Sequence, residues 1–234
     1  MTVEFDFGDD VVLVTGAGGA LGSSVAESFA AAGATVCAAD VVDAEDAAVD
    51  LGGDVHYFQA DFTDESAVSE TFDSVVDEYG GLDYLCNIAG TWKGGDPIEE
   101  TDVETFDMLF DVNLKTMFLA SKHALPHLQD AEGAIVSVSA RASLEGGEGD
   151  GPYRASKAGV RLLTETIAEE NRGTVRANAV MPSVIDTPMN REMIPNADYE
   201  KWVDPADIAS VIMTLCSDAT SVTSGAAVPV YGEA

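Results

Sequence analysis

The sequence predicts an α/β fold, in which one domain is organised around a doubly wound parallel sheet of seven strands with helices on both faces. Three observations predict it. Short β-branched or apolar runs alternate with segments of helical period, the first such run leads into a glycine-rich turn, and no linker, repeat or low-complexity block interrupts residues 1–234. Strands that alternate with helices are typical of a parallel sheet covered on both faces.

The elements follow in chain order from these local patterns. The first half is predicted to contain a strand at 11–15, a helix at 21–32, strands at 35–39 and 55–60, a helix at 65–79 and a strand at 84–86. The second half is predicted to contain a helix at 104–128, a strand at 134–138, a helix at 153–171, a strand at 175–180, a helix at 205–216 and a strand at 227–230. Two connections, 140–152 and 182–204, are longer than the fold requires. Both follow strand ends, so we expect them to form substrate walls and a lid.

The chain is strongly acidic, with 42 Asp and Glu against 11 Lys and Arg and a formal net charge of −31. Such a surface repels nucleic acid and anionic membranes, so neither is expected as a partner. The acids are spread along a chain that is 46% hydrophobic, which indicates a folded protein rather than disorder. Because molar salt shortens the Debye length to about 3 Å, we interpret the charge as adaptation to a high-salt cytoplasm. An ordinary acidic protein is the alternative.

Cysteine usage and hydropathy predict the compartment. Cys37, Cys86 and Cys216 each lie in an apolar run without a CxxC motif, so we expect buried thiols. The first ten residues are acidic and lack the basic and apolar regions of a secretory signal. No run of about 18 apolar residues follows. These features predict a cytoplasmic protein without a membrane partner.

The turn after the first strand predicts a dinucleotide site. Its glycines let the backbone approach a pyrophosphate, which the free N–H groups of the following helix stabilise. The candidate residues in this turn are Gly16, Gly18, Gly19 and Leu21. Asp40 ends the second strand, where a carboxylate accepts hydrogen bonds from ribose hydroxyls and repels a 2′-phosphate. The pattern therefore favours NAD(H) over NADP(H), and a tight turn without a ligand is the alternative.

Tyr153 and Lys157 are candidate catalytic residues. They lie four residues apart on a predicted helix, so both side chains project from one face. An ammonium group beside a phenol favours the phenolate and lowers its pKa, which predicts that Tyr153 acts as an acid or base near neutral pH. A solvated helix face is the alternative for such a pair.

Over nearly its whole length, the sequence resembles the short-chain dehydrogenase/reductase family. The matching features are the turn at 16–22, Asp61 and Phe62, the Asn-Ile-Ala-Gly segment at 87–90, Asn113, the Tyr153 and Lys157 pair, and the segment 182–187. The resemblance implies a single Rossmann domain, an oxidoreductase acting on a small molecule, and assembly as a homodimer or homotetramer.

The resemblance also implies roles for these residues. Asp61 and Phe62 would lie near adenine. Lys157 would bind the nicotinamide ribose, and Asn113 would hold a water that links Lys157 to solvent. The remaining cofactor-binding candidates are Asn87, Ala89, Gly90, Pro182, Val184 and Thr187.

Three residues depart from the family pattern. Ala20 and Ser183 replace glycines but are small, so we expect adjustment of the cofactor site. Ala140 stands where the family has its catalytic Ser, 13 residues before Tyr153. Losing one of two donors to a developing oxyanion costs on the order of 3 kcal/mol. Ser139 points the opposite way unless the loop shifts register, whereas Ser143 reaches inward if the loop folds back.

A narrower resemblance offers one explanation for the missing Ser. Segments 19–23, 40–42, 89–95 and 186–191 and the 195–202 lid pattern resemble the NADH-dependent quinonoid dihydropteridine reductases, which also lack this Ser. Met189, Trp92 and Trp202 then become substrate candidates, with the two Trp rings sandwiching a flat ring. The alternatives are a reductase or dehydrogenase of a ketone or secondary alcohol, including the 3-oxoacyl type, and a non-catalytic NAD-binding sensor.

No metal site is expected. His123 and His127 have a helical ligand spacing, and His56 lies in a predicted strand, but no carboxylate or Cys at ligand spacing completes a set. The acidic segment 145–150 lacks the ordered ligand alternation of a calcium loop. We interpret it as a solvated, mobile flap.

Overall fold

Seven parallel strands form one sheet: β1 (Val11–Thr15), β2 (Thr35–Asp40), β3 (Val55–Gln59), β4 (Tyr84–Asn87), β5 (Ala134–Val138), β6 (Arg176–Pro182) and β7 (Ala227–Val230). The computed structural model describes residues 5–48, 52 and 54–233, and in it the strand order is β3-β2-β1-β4-β5-β6-β7. The order reverses between β1 and β4, which opens a crevice at the carboxyl ends of these strands. The predicted fold class is confirmed.

The helices are α1 (Ala20–Ala31), α2 (Glu65–Tyr79), α3 (Val103–Phe110), α4 (Thr116–Ala131), α5 (Gly151–Glu170), α6 (Pro188–Met193) and α7 (Pro205–Cys216). Helix α6 and a 3₁₀ turn at Arg141–Leu144 occupy the two regions that were predicted as long loops. Helix α5 begins two residues earlier than predicted because Pro152, which suits a first helical turn, lies inside it.

One predicted helix is divided. Residues 104–128 were predicted as continuous, but α3 and α4 are separated by a π-helical turn at Asp111–Lys115. The apolar period continues through this turn, so hydrophobic periodicity does not reveal it. Turns of this kind frequently mark functional sites, and this one contains the buried Asn113.

The core has two layers, one on each face of the sheet. Side chains alternate along β1, so that Val12 and Val14 face α1 and α7 while Val11 and Leu13 face α2, α4 and α5. The central strands β1 and β5 are buried on both faces, as in other parallel sheets, whereas the edge strands β3 and β7 are only partly buried. The three Cys thiols are buried and free, as predicted.

Two further expectations concern membrane-spanning helices and the acidic N-terminal segment. Within residues 5–48, 52 and 54–233, no helix has the length and apolar character needed to cross a bilayer. The acidic N-terminal segment lies partly outside the described residues, which begin at residue 5.

Candidate active site

A cavity of about 1240 Å³ runs along the carboxyl ends of the strands, across the crevice at the β1/β4 reversal. Many of the sequence-predicted residues line it: Gly16, Gly19, Leu21, Asp40, Asp61, Phe62, Ala89, Gly90, Trp92, Ser139, Tyr153, Lys157, Pro182, Val184, Thr187 and Met189. The sequence-predicted residues that lie behind or away from its wall are Gly18, Asn87, Asn113, Ser143 and Trp202.

The glycine turn brings two segments of backbone into close approach. Gly16 has a φ of +69°, and a Cβ on it would lie 2.7 Å from the Cα of Ala89. A Cβ on Gly22 would lie 2.1 Å from the carbonyl oxygen of Gly16. Helix α1 begins directly after Gly19, which makes no side-chain cap bond. The first-turn N–H groups of α1 therefore lie at the cavity wall without a side-chain cap, an arrangement that suits a phosphate.

Asp40 is held at the cavity wall by backbone donors. Its Oδ2 accepts from the Gly18 N–H at 2.9 Å, and its Oδ1 accepts from the Val41 N–H at 2.7 Å. Gly18 thus orients the carboxylate, although its own atoms do not line the cavity. A carboxylate fixed in this way retains acceptor sites for the hydroxyls of a ribose.

Asn87 connects elements behind the wall. It is buried, and its Nδ2 donates to Ser121 Oγ and to Ser137 Oγ, each at 3.2 Å. These contacts join β4 to α4 and β5. In this structure Asn87 supports the carboxyl end of β4, from which Ala89 and Gly90 reach the cavity.

Asn113 connects the π-helical turn to two other elements. Its Oδ1 accepts from the Thr91 N–H at 2.7 Å, and its Nδ2 donates to Ser156 Oγ at 3.1 Å. Ser156 Oγ donates in turn to the Tyr153 carbonyl oxygen at 2.8 Å. Ser156 was not identified from the sequence, although its position between Tyr153 and Lys157 was a usable signal. The chain of hydrogen bonds fixes the first turn of α5 relative to the loop after β4.

Lys157 is nearly enclosed, with 5% of its surface exposed. Its Nζ donates to the Val138 carbonyl oxygen at 2.9 Å, and a Cβ on Gly90 would lie 2.9 Å from this nitrogen. Burial lowers the pKa of the ammonium to about 8. An ammonium has three N–H donors, so two beyond the Val138 bond can serve a ligand in the cavity.

The phenol of Tyr153 is less acidic than expected. Burial, together with a smaller contribution from the carboxylate of Asp150, raises its pKa to about 12, and Arg154 is the charge that opposes this increase. The expectation that Lys157 lowers this pKa towards neutrality is wrong for this structure, because desolvation dominates and Arg154 supplies the opposing charge. Tyr153 is therefore protonated at neutral pH.

The two serines considered as replacements at position 140 are engaged elsewhere. Ser139 Oγ donates to the Lys157 carbonyl oxygen at 2.8 Å, because its side chain points towards α5. Ser143 is buried, and its Oγ donates to Met181 Sδ at 3.8 Å. Ser143 therefore does not reach the cavity as expected, and Ser139 lines the cavity but has its hydroxyl directed to α5, as predicted for a loop without a register shift. Ala140 lines the cavity with a methyl group where the family pattern has a hydroxyl.

The two tryptophans do not form a sandwich. Trp92 lines the cavity and is 43% exposed, and Met189 lines it from α6. Trp202 lies away from the cavity and packs edge-on against Tyr199, with ring centroids 4.8 Å apart. Trp202 packs within the lid because Tyr199, in the preceding 3₁₀ turn, offers an aromatic surface. The expected position of Trp202 at the substrate is wrong.

The acidic segment 145–150 is anchored. Arg154 Nε lies 2.5 Å from Asp150 Oδ1, and Arg154 also donates to the Glu145 carbonyl oxygen at 3.1 Å. The Gly95 N–H donates to the Gly149 carbonyl oxygen at 2.7 Å. The segment is solvated as expected, because residues 145–148 are exposed, and these contacts attach it to α5 and to the loop after β4. In the part of the chain that the structure describes, no cluster of His, Cys, Asp and Glu is suited to a metal ion.

Comparisons with known proteins agree with this geometry. Residues 10–198 match the family model described as short chain dehydrogenase. The chain is 33% identical to cis-4-hydroxycyclohexanecarboxylate dehydrogenase of Sinomonas cyclohexanicum, over 97% of this chain and 96% of that protein. It is also 33% identical to 3-oxoacyl-(acyl-carrier-protein) reductase of Thermotoga maritima, over 95% of this chain and 96% of that protein. A short-chain type dehydrogenase/reductase from Mycobacterium ulcerans has a TM-score of 0.91 at 27% identity, covering 98% of this chain and 90% of that one.

Proposed function

Since this chain belongs to the short chain dehydrogenase family and is an oxidoreductase, we propose that it transfers a hydride between NAD(H) and a small organic substrate, with Tyr153 as the proton donor. One observation is central to the proposal. Tyr153 and Lys157 lie on the same cavity as the glycine turn and Asp40, which the sequence separates by more than a hundred residues. The candidate catalytic residues and the candidate dinucleotide-binding residues thus line one cavity.

The residues present fit a dinucleotide. The glycine turn leaves no room for a Cβ at Gly22, and the start of α1 lies at the cavity wall without a side-chain cap. When bound, the cofactor supplies or accepts the hydride. Lys157 would hold the nicotinamide ribose through its free N–H donors, and Thr187 and Val184 line the wall where the nicotinamide amide is expected.

Asp40 supports a preference for NAD(H) over NADP(H). Its carboxylate lines the cavity and is oriented by the N–H groups of Gly18 and Val41. A fixed carboxylate favours ribose hydroxyls and disfavours the negative charge of a 2′-phosphate. Asp61 and Phe62, at the end of the cavity nearest β3, would contact the adenine.

Tyr153 would donate its proton to the atom that gains electron density during reduction. Its phenol is protonated at neutral pH because burial raises its pKa to about 12. Hydrogen bonds through Ser156 and Asn113 fix the backbone at Tyr153 and so restrict where the phenol can lie. The proton would return to Tyr153 from solvent after the product leaves.

Two substrate classes are candidates. The first is a ketone or secondary alcohol, and the names of two relatives support it, since one protein is named for a hydroxycyclohexanecarboxylate and the other for a 3-oxoacyl group. The second is a quinonoid dihydropteridine, which the methyl group of Ala140 favours. Reduction of such a ring leaves no alkoxide, so a second hydroxyl donor is not needed. The position of Trp202 removes one of the features that favoured this second class.

The acid excess supports a further part of the proposal. We interpret the net charge of −31 as adaptation to a high-salt cytoplasm.

Exposed apolar side chains support a proposal about assembly. The chain is proposed to form a homodimer or homotetramer through helices α3, α4 and α5. Their exposed apolar residues include Val103, Phe106, Phe118 and Leu162. Light scattering in molar KCl would report the oligomer size.

A substrate screen tests the proposal. NADH oxidation would be followed with a panel of cyclic ketones, 3-oxoacyl thioesters and a quinonoid dihydropteridine, in dilute and in molar KCl. We expect turnover of at least one class, faster with NADH than with NADPH. NADPH-linked turnover of a panel member without NADH-linked turnover would contradict the cofactor assignment. Turnover of the pteridine alone would select the second substrate class.

A further inference from the structure

We propose that Asp150 and Arg154 are positioning residues for Tyr153, because they form a fixed ion pair at the start of α5, three residues before and one residue after the tyrosine, in the wall of the cavity that all three line. The inference rests on the proposed function of Tyr153. Asp150 is the N-cap residue of α5, Tyr153 is in its first turn, and Arg154 follows directly. All three residues line the same cavity.

The two charges are held in place and partly withdrawn from water. Arg154 Nε lies 2.5 Å from Asp150 Oδ1, and the two side chains are only 23% and 15% exposed. Gly147 lies against the guanidinium group, since a Cβ there would be 2.2 Å from its Cζ. A second guanidinium nitrogen donates to the Glu145 carbonyl oxygen. Fixed charges with little solvent access act more strongly on a neighbour than charges on free surface side chains.

The two charges act on Tyr153 in opposite directions. Asp150 raises the pKa of the phenol and Arg154 lowers it, in addition to the effect of burial. The other charged groups on this part of the cavity wall are Arg141, Glu145 and Lys157. Lys157 is bonded to the Val138 carbonyl oxygen. Among the described residues, the loop after β4 and the lid present uncharged side chains to the cavity.

The arrangement suits a proton donor that must pass through an ionised state. A phenol surrounded only by an apolar wall would give up its proton reluctantly, because the phenolate would be desolvated. Arg154 stabilises that phenolate, and Asp150 limits how far Arg154 acidifies the resting phenol. Removing either partner should therefore move the acidity of Tyr153, and the two changes should have opposite signs.

The experiment measures the titration of residue 153 directly. The full chain is produced with 3-fluorotyrosine, whose phenol is more acidic than that of tyrosine, and its ¹⁹F resonances are followed against pH at one KCl concentration. The resonance of residue 153 is assigned by its absence in Tyr153→Phe. The variants are Asp150→Asn and Arg154→Gln. Glu165→Gln is the control, because it breaks an ion pair with Arg161 of the same spacing on the same helix.

We expect the midpoint for residue 153 to fall by at least about half a pH unit in Asp150→Asn and to rise by a similar amount in Arg154→Gln. The control should stay within about 0.1 unit of the unmodified chain. Asp150→Glu keeps the charge and should restore the midpoint. Equal midpoints in both variants, or shifts of the same sign, would overturn the proposal. If one variant fails to fold by near-UV circular dichroism, the other and Asp150→Glu decide the outcome.

Failure of the inference differs from failure of the proposed function. If Tyr153→Phe loses turnover but neither charge variant moves the midpoint, Tyr153 remains the donor and the tuning role is refuted. If the midpoints move as expected but Tyr153→Phe retains full turnover, the electrostatic coupling is real and the donor lies elsewhere.

Discussion

At the carboxyl edge of the sheet Asp150 is paired with Arg154, and in the lid Asp186 is paired with Arg191. At the amino edge Asp10 lies before β1, near other carboxylates that include Asp83 and Asp218. Burial and these neighbours raise the pKa of Asp10 to about 6, whereas Arg191 lowers that of Asp186. The same residue type therefore meets opposite electrostatic surroundings at the two edges.

The difference separates chemistry from stability. The cavity wall contains Arg141, Arg154 and Lys157, three of only 11 basic residues in the chain. At the amino edge, mutual repulsion between carboxylates opposes folding and should weaken when salt screens it. Changes to charged or proton-transferring groups at the carboxyl edge should thus alter catalysis and cofactor choice, whereas changes to charged groups at the amino edge should alter stability alone.

The largest effect is expected for Tyr153→Phe at the carboxyl edge. The substitution removes the transferable proton and keeps the ring, so turnover should fall by roughly 10² or more while NADH affinity stays within about twofold. Steady-state kinetics and a fluorescence titration with NADH would measure the two quantities. Turnover at the level of the unmodified chain would move the acid–base role to another residue.

A smaller effect is expected for the cofactor preference. NADH should bind at least about tenfold more tightly than NADPH, because a phosphate placed beside the Asp40 carboxylate costs about 1.4 kcal/mol or more. Asp40→Asn keeps an acceptor for the Gly18 N–H and removes the negative charge. This variant should therefore show a smaller difference between its affinities for NADH and NADPH. Equal affinities in the unmodified chain, measured by calorimetry, would refute the role of Asp40.

The serines near Ala140 should have still smaller effects on catalysis. Ser139→Ala and Ser143→Ala should each change turnover by less than about threefold, because the two hydroxyls donate to the Lys157 carbonyl oxygen and to Met181 Sδ. Ser139→Ala should lower the free energy of unfolding by about 1 kcal/mol, because a buried hydrogen bond to α5 is lost. Chemical denaturation would measure this. A 10²-fold loss of turnover in either variant would show that the loop at 140–144 rearranges when substrate binds.

The smallest effect is expected at the amino edge. Because the pKa of Asp10 is raised from 3.8 to about 6 in the folded chain, the folded chain binds this proton more tightly than the unfolded chain does. The free energy of unfolding therefore decreases as the pH rises from 3.8 to about 6. Above pH 6 the ionised Asp10 carboxylate continues to destabilise the folded chain by a constant amount. Asp10→Asn should raise the Tm by on the order of 1–2 °C at pH 8 in dilute buffer, and less in molar KCl.

One control variant and one salt measurement accompany this prediction. Asp73→Asn removes one charge from an exposed position on α2 and should change the Tm less than Asp10→Asn. The unmodified chain should itself gain Tm from dilute to molar KCl, because salt screens carboxylate repulsion. A flat or falling Tm would remove the high-salt interpretation and would leave the enzymatic proposal unchanged.

Some of the site was predictable because local sequence determines it. A turn that needs positive φ or close backbone approach requires glycine, and Gly16 and Gly22 meet that requirement in the structure. Tyr153 and Lys157 share a helix face because four residues make about one turn. The Asp150 and Arg154 pair has the same spacing but was missed, because the helix was predicted to begin at 153 and Asp150 was assigned to a loop.

By itself the sequence determined the seven strands, their alternation with helices, and the turn that is predicted to bind a dinucleotide. It also determined that Asp40 ends a strand and that Tyr153 and Lys157 share a helix. These features were predictable because periodicity and turn chemistry act over a few residues. Only the tertiary structure decided where Trp202, Ser139 and Ser143 point, which charge acts on Tyr153, and that Asn113 lies in a π-helical turn. Those outcomes depend on contacts between segments far apart in the chain and on water excluded by their packing, and neither leaves a periodic signal in the sequence.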